Sequence, residues 1–138
     1  MKLLVPIDGS GYALRAVEYA AKMVETLEDA TVDFVYVIVY EANFMDSALM
    51  IEKAGELAAQ EALDEAVADF AEYSAKQPGR IIESGSSAAN TIVNLAEKEN
   101  YDQVIMGSKG KSNMERFLVG SVSNRIMHHA PCTVTLVR

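Results

Sequence analysis

Residues 104–121, VIMGSKGKSNMERFLVGS, join a short apolar run to a glycine-rich loop. The run belongs to DQVIMG, residues 102–107, whose nearly continuous apolar centre predicts a buried strand. The residues after the loop predict a helix over about 121–129, and CTVTLV at 132–137 predicts another strand. Two strands joined by a long connection that contains a helix form the unit from which parallel sheets are built.

The same alternation extends through the rest of the chain. The predicted elements are a strand at 2–7, a helix with Leu14, Val17, Ala21, Val24 and Leu27 at helical spacing, a strand at 31–40, a helix from about Ser47 to Lys76 that Pro78-Gly79 stops, a strand at 80–85 and a helix from Ala88 to Asn100. Short apolar strands that alternate strictly with helices predict an α/β domain, with a five-stranded parallel sheet between two layers of helices. Ligands of such sheets bind outside the carboxyl ends of the strands, where the strand order reverses.

Composition narrows the class of protein further. The 138 residues, half of them hydrophobic and 23% charged, predict one globular domain over 1–138. A net charge of −8 disfavours nucleic acid as a partner, and no apolar run is long enough to predict a membrane span. The lone Cys132, in a strand-like segment, fits a reducing compartment, so we expect a cytoplasmic protein.

Two common nucleotide motifs do not fit the glycine loop. Gly110-Lys111-Ser112 resembles the end of a P-loop, but the first glycine of that motif would fall at position 105, which is Ile105 inside the strand. The dinucleotide fingerprint Gly-x-Gly-x-x-Gly also fails, because position 109 is Lys109.

The spacing that remains is Gly107-x2-Gly110-x9-Gly120-Ser121. At Gly107 and Gly110 the backbone can approach a ligand closely or take positive φ without a side-chain clash. Gly120-Ser121 opens a helix, whose unpaired N–H groups and positive dipole end attract anions. The loop therefore predicts a phosphate site built from backbone groups.

This spacing resembles the ATP-binding signature of the universal stress proteins, Gly-x2-Gly-x9-Gly-Ser/Thr, and GSKGKSNMERFLVGS matches it at every defined position. The likeness covers the whole chain: a first strand that ends in Pro6-x-Asp8, a second strand like VYVIV, a fourth that ends in MGS, and the closing GSVSNRIMHHAPCTVTLV. The resemblance implies the adenine nucleotide alpha hydrolase-like fold with strand order 3-2-1-4-5. It also implies ATP as the ligand, with Mg²⁺ or Mn²⁺ as an optional companion.

The implied pocket lies between the carboxyl ends of the first and fourth strands. The positions that match the family's pocket are Pro6 at the end of the first strand, Asp8 near the adenosine, Val37 with its backbone at the adenine edge, Met106 and Gly107 beside the ribose, and Gly110, Gly120, Ser121 and Val122 at the phosphates. One departure is the entry to the third helix, where the family often has Gly-x-Pro and this chain has Gly85-Ser86-Ser87-Ala88.

The function that the resemblance implies is a nucleotide-dependent stress-response module with slow or no hydrolysis. The residues show no group placed to orient a nucleophile, since Glu115 and Arg116 are adjacent loop residues that favour a solvated charge pair. Two alternatives stay open: a genuine ATPase or nucleotidyl transferase, and a dimeric scaffold with a vestigial pocket.

Two further expectations concern the end of the chain. His128 and His129 fall in the last turn of the final helix, where a cationic side chain complements the helix dipole. The resemblance implies a homodimer through the fifth strand, a sheet edge, with the two copies antiparallel. Thr135→Pro would weaken this dimer if the Thr135 N–H faces the partner.

Overall fold

A computed structural model describes residues 1–40, 48–111 and 119–138. Within them strands and helices alternate as β1 (Lys2–Pro6), α1 (Gly11–Thr26), β2 (Thr31–Val39), α2 (Ala48–Ala71), β3 (Gly79–Gly85), α3 (Ala88–Lys98), β4 (Gln103–Gly107), α4 (Ser121–His129) and β5 (Thr133–Val137). The predicted alternation is confirmed.

The sheet has the predicted order β3-β2-β1-β4-β5, and each neighbouring pair is parallel. The chain builds outward from β1 through β2 to β3, then crosses to β4 on the other side of β1. The strand order therefore reverses between β1 and β4, and a crevice opens beyond their carboxyl ends.

A hydrophobic core lies on each face of this sheet. Helices α1 and α2 cover one face, where Phe34 of β2 meets Phe70 of α2 with ring centroids 5.6 Å apart. Helices α3 and α4 cover the other face through residues such as Ile92 and Ile126. The central strand β1 is buried from both sides, which explains why its Leu-Leu-Val run does not alternate with polar residues.

Helix α2 ends five residues earlier than predicted, at Ala71 rather than Lys76. The Ser74 hydroxyl is buried and donates to the Glu25 carboxylate, 2.6 Å away. The Lys76 ammonium donates to three backbone carbonyls between α1 and β2. These bonds require the chain to leave the helix, and they outweigh the helix propensity of the segment. The predicted start at Ser47 lies outside the described residues.

Helix α3 also ends earlier than predicted, at Lys98 rather than Asn100. Asn100 adopts a left-handed φ of 53°, a conformation that ends helices and that asparagine tolerates well. No helix in the described part of the chain is long and apolar enough to span a membrane.

Candidate functional site

A cavity of about 240 Å³ lies at the switch point, bounded by the carboxyl ends of β1, β2 and β4 and by the first turn of α4. All nine residues that the sequence predicts for the site line it: Pro6, Asp8, Val37, Met106, Gly107, Gly110, Gly120, Ser121 and Val122. The fold thus brings together residues that are up to 116 positions apart in sequence, the separation of Pro6 and Val122. Their contacts with a nucleotide stay a prediction.

The turn after β1 is shaped by Asp8, Gly9 and Ser10. The Asp8 carboxylate accepts the Ser10 N–H at 2.9 Å, and the Ser10 hydroxyl accepts the Ala13 N–H at 3.2 Å and caps α1. Gly9 has a φ of 77°, which other residues adopt only with strain. These two bonds and the Gly9 conformation define the turn, and one Asp8 oxygen is bonded within it.

Gly9 lies against the glycine loop, although it is not among the residues that line the cavity. A Cβ at Gly9 would lie 3.1 Å from Cε of Lys111, so the lysine side chain crosses directly above this turn. A Cβ at Gly110 would lie 2.9 Å from Oδ2 of Asp8. The β1 turn and the glycine loop are therefore in contact.

Gly107 is required first of all by packing. A Cβ at Gly107 would lie 2.7 Å from the backbone carbonyl carbon of Tyr12, because the end of β4 passes against the start of α1. The Gly107 carbonyl accepts the buried Ser123 hydroxyl at 2.9 Å, which ties α4 to β4. Neither Gly107 nor Gly110 has positive φ. Both positions require glycine because a neighbouring residue lies close to the backbone, Tyr12 at Gly107 and Asp8 at Gly110.

Gly120, at the end of the glycine loop, lies against the residues at the start of the same loop. Its N–H donates to the Ser108 carbonyl at 2.8 Å, and a Cβ there would lie 3.4 Å from the Lys109 Cα. Gly120 is the N-cap of α4, with no side-chain cap among the described residues. The first N–H groups of a helix have no acceptor within it, and the Ser121, Val122 and Ser123 positions line the cavity. This end of the cavity suits an anion.

The opposite end is formed by the last residues of β2. Ile7 N–H donates to the Val35 carbonyl at 2.8 Å, so Val35 faces β1, while Tyr40 N–H donates to the Gly85 carbonyl at 3.2 Å, toward β3. Backbone groups of alternate strand residues point to opposite neighbours, so Val37 faces the same side as Val35. Since β1 pairs with β2 only as far as Val35, the Val37 N–H and C=O point into the cavity.

Apolar side chains line the interior between these two ends. Val35, Ile92, Met106 and Ile126 are all buried, and each belongs to a different strand or helix. Asp8 is the one carboxylate among the described lining residues. The described part of the chain contains no group of three His, Cys, Asp or Glu residues that could hold a metal ion. The cavity therefore combines an apolar slot, a donor-acceptor pair at Val37 and an anion-attracting helix end.

The third-strand loop, which departs from the family pattern, also reaches this region. Ala88 lines the cavity, and the hydroxyl of Ser87 accepts the Asn90 N–H at 3.3 Å and caps α3. The loop thus still places the start of α3 beside the cavity.

Comparison with known proteins gives a consistent picture. A model of the universal stress protein family matches residues 1–138. A universal stress protein of Methanocaldococcus jannaschii is 33% identical over 145 aligned residues, which cover 99% of this chain and 81% of that protein. The solved structure of a universal stress protein, UspA, from Lactobacillus plantarum has a TM-score of 0.87 at 24% identity, covering all of this chain and 97% of that one.

Some structurally similar proteins were solved with adenine nucleotides. A universal stress protein in complex with cAMP has a TM-score of 0.78 at 21% identity and covers all of this chain and 97% of that one. The universal stress protein from Archaeoglobus fulgidus in complex with dAMP has a TM-score of 0.75 at 20% identity and covers all of this chain and 98% of that one. At these identities the likeness shows the fold, and the ligands are those of the other proteins.

Proposed function

The chain belongs to the universal stress protein family, and we propose that it binds ATP as a regulatory ligand that it hydrolyses slowly or not at all. The observation that carries the proposal is the polarity of one cavity. Val37 presents a backbone donor and acceptor at one end, and the first turn of α4 presents unpaired N–H groups at the other.

The Val37 end supports adenine as the base. Adenine carries an acceptor ring nitrogen next to a donor amino group, which complements a backbone N–H next to a C=O. In the same orientation guanine presents the reverse pattern on that edge, a carbonyl next to a ring N–H, so it would place donor against donor and acceptor against acceptor. The apolar slot formed by Val35, Met106 and Ile126 suits the faces of a flat ring.

The α4 end supports phosphate. The cavity volume of about 240 Å³ lies below the range of small-molecule sites, roughly 300 to 1,000 Å³, so the cavity suits the nucleoside better than the whole nucleotide. The phosphates would then lie along Gly110, Gly120 and Ser121, where Val122 is 43% exposed and the cavity meets solvent.

The same residues support slow hydrolysis or none. Fast phosphoryl transfer needs a placed metal ion and a group that orients the nucleophile. Asp8 is the one carboxylate among the described lining residues, and one of its oxygens is bonded to Ser10. A bound Mg²⁺ or Mn²⁺ would take its ligands mainly from the phosphates, since Ser121 and Ser123 offer only neutral oxygens.

Mass spectrometry of the gently purified protein, with calorimetric titration of ATP, GTP and tripolyphosphate, tests the proposal. We expect carried-over ATP and an affinity for ATP well above that for GTP. Carried-over ADP or AMP would favour the ATPase or transferase alternative. A site that is empty and does not bind added ATP would favour the second alternative, a dimeric scaffold with a vestigial pocket.

A further inference from the structure

A second groove, of about 510 Å³, lies outside the nucleotide cavity between the start of α3 and the length of α4. We name it the α3–α4 groove. Ser87, Ala88 and Ala89 form its α3 side, and Ser121, Val122, Asn124, Arg125, His128 and His129 form its α4 side. Ala88, Ser121 and Val122 also line the nucleotide cavity, so the two spaces meet at the first turn of α4.

The charge of this groove is opposite to that of the protein. The chain carries 20 Asp and Glu against 12 Lys and Arg, yet no carboxylate is among the described lining residues of the groove. Arg125 supplies one fixed cation, and His128 and His129 supply two imidazole rings. The groove is thus a local exception to an acidic surface.

Arg125 is held in a position to use its remaining donors. Its Nε donates to the Asn90 side-chain oxygen at 2.9 Å, which fixes the guanidinium against α3. Of the five N–H donors of a guanidinium this bond uses one, and Arg125 has no second hydrogen bond or ion pair among the described residues. The planar fork therefore presents donors to whatever occupies the groove.

Three of the polar groups on α4 lie along one face of the helix. Ser121, Arg125 and His128 follow the i, i+4, i+7 spacing, so they face the same direction over a rise of roughly 10 Å. A favourable interaction with the helix dipole accounts for His128 and His129 in the last turn. It does not account for Arg125, which lies one turn earlier and is bonded to another helix.

We propose that the α3–α4 groove is a second anion-binding subsite, which takes a phosphate group through Arg125, Ser121 and His128. Arg125 and His128 line only the groove, Ser121 lines both spaces, and the proposal does not depend on nucleotide binding in the first cavity. Its phosphate has two possible sources, the distal phosphates of a nucleotide in the adjoining cavity and a separate phosphorylated small molecule.

The test uses inorganic phosphate as the probe at constant ionic strength and pH 7. Backbone and Arg side-chain resonances are followed by ¹⁵N NMR in the whole protein, with chloride as the reference anion. We expect saturable shifts at Ser87–Asn90 and at the Arg125 Nε. Shifts confined to residues 107–110 and 120, or no saturation, would overturn the proposal.

Arg125→Gln distinguishes specific phosphate binding in the groove from general attraction of phosphate to positive charge. It should weaken phosphate binding about tenfold or more, because it removes charge-assisted hydrogen bonds. The control is Arg80→Gln, which makes the same charge change at an exposed arginine paired with Asp64 outside the groove, and it should leave phosphate affinity within about twofold. Equal affinities for the two variants, both folded by circular dichroism, would refute the site.

Two additional titrations identify the source of the phosphate. If ATP shifts the Arg125 Nε in wild type and AMP does not, the distal phosphates of the nucleotide reach the groove. If inorganic phosphate still binds the groove of ATP-saturated protein, the groove takes a separate molecule. A failure of AMP and ATP to bind at all would refute the proposed function but leave the inorganic phosphate test of the groove intact.

Discussion

At the amino ends of the strands, Tyr101 donates its hydroxyl to Asp33 at 2.7 Å, whereas at the carboxyl ends Val37 and the first turn of α4 direct backbone groups into a cavity. The amino end contains further closed pairs. Lys2 N–H donates to the Asp102 carboxylate at 2.7 Å, and Asp102 N–H returns a bond to the Lys2 carbonyl at 2.9 Å. One end bonds its polar groups internally, and the other leaves them for a ligand.

This difference separates stability from binding within one small sheet. Substitutions at the amino end should change the free energy of unfolding without changing nucleotide affinity. Substitutions at the carboxyl end should change nucleotide affinity without changing the free energy of unfolding, except where a glycine such as Gly107 is also needed for packing against Tyr12.

The largest expected effect is that of Gly120→Val, which should abolish measurable ATP binding in a folded protein. Its Cβ meets the Lys109 Cα at 3.4 Å, and the γ-carbons would cover the Gly110 N–H and the first N–H groups of α4. We expect at least ~100-fold weaker binding by calorimetry, since charge-assisted hydrogen bonds are worth about 1.5–3 kcal/mol each.

Gly11→Val is the matched control for this variant. Gly11 also begins a helix, α1, but a Cβ there has no atom within 4 Å. The control should bind ATP as wild type does. If the two valine variants bind ATP equally well, the glycine loop does not hold the phosphates.

Asp8→Ala should weaken adenosine binding by about 1.5–3 kcal/mol if the carboxylate accepts a ligand hydrogen bond. Asp8→Asn is the companion variant, because it keeps an oxygen for the Ser10 N–H and so preserves the turn. Calorimetry with adenosine and with tripolyphosphate distinguishes the two ends of the cavity. An equal loss of affinity for tripolyphosphate would place Asp8 at the phosphate end instead.

Tyr101→Phe is the corresponding test at the amino end of the sheet. It leaves the Asp33 carboxylate without its donor, which should lower the free energy of unfolding by about 1–3 kcal/mol and leave ATP affinity unchanged. Urea unfolding at pH 7 and calorimetry measure the two quantities. A change in affinity as large as the change in stability would contradict the separation of the two ends.

The pH dependence of the unfolding free energy provides a second test of Tyr101. Burial, followed by the bond to Asp33, raises the pKa of Tyr101 above its ordinary value near 10. A raised folded-state pKa gives stability that is fully present below pH 10 and is lost as pH rises toward the folded-state pKa. Wild type should therefore lose part of its unfolding free energy above pH 10, and Tyr101→Phe should lose less.

Local signals explain what the sequence predicted correctly. Strand and helix periodicity predicted the sheet, and the glycine spacing predicted residues that line one cavity. The end of α2 was wrong because its determinants are contacts of Ser74 and Lys76 with residues 46 to 49 positions earlier. The crossing of Lys111 over Gly9 likewise joins segments whose proximity no local pattern encodes.

The direction of the backbone groups on β5 was not predicted from the sequence, and it changes which proline substitution tests the homodimer. Ser108 N–H donates to the Val137 carbonyl at 2.8 Å, so Val137 faces β4 and so does Thr135, two residues earlier. Thr135→Pro would therefore break the sheet within one chain rather than a contact with a partner. The donors on the open edge are those of Val134 and Leu136.

The smallest expected effect is the weakening of the proposed homodimer by Leu136→Pro. An unpaired strand edge favours pairing with a second copy, and two antiparallel β5 strands would each lose one donor, worth about 0.5–1.5 kcal/mol. Leu136→Ala removes the side chain but keeps the N–H, so it controls for lost packing. Sedimentation equilibrium should show a weaker dimer for the proline variant than for the alanine variant, both with folded monomers. A wild type that is monomeric at micromolar concentration would refute edge pairing, because the β5 strands of two copies would then not be paired.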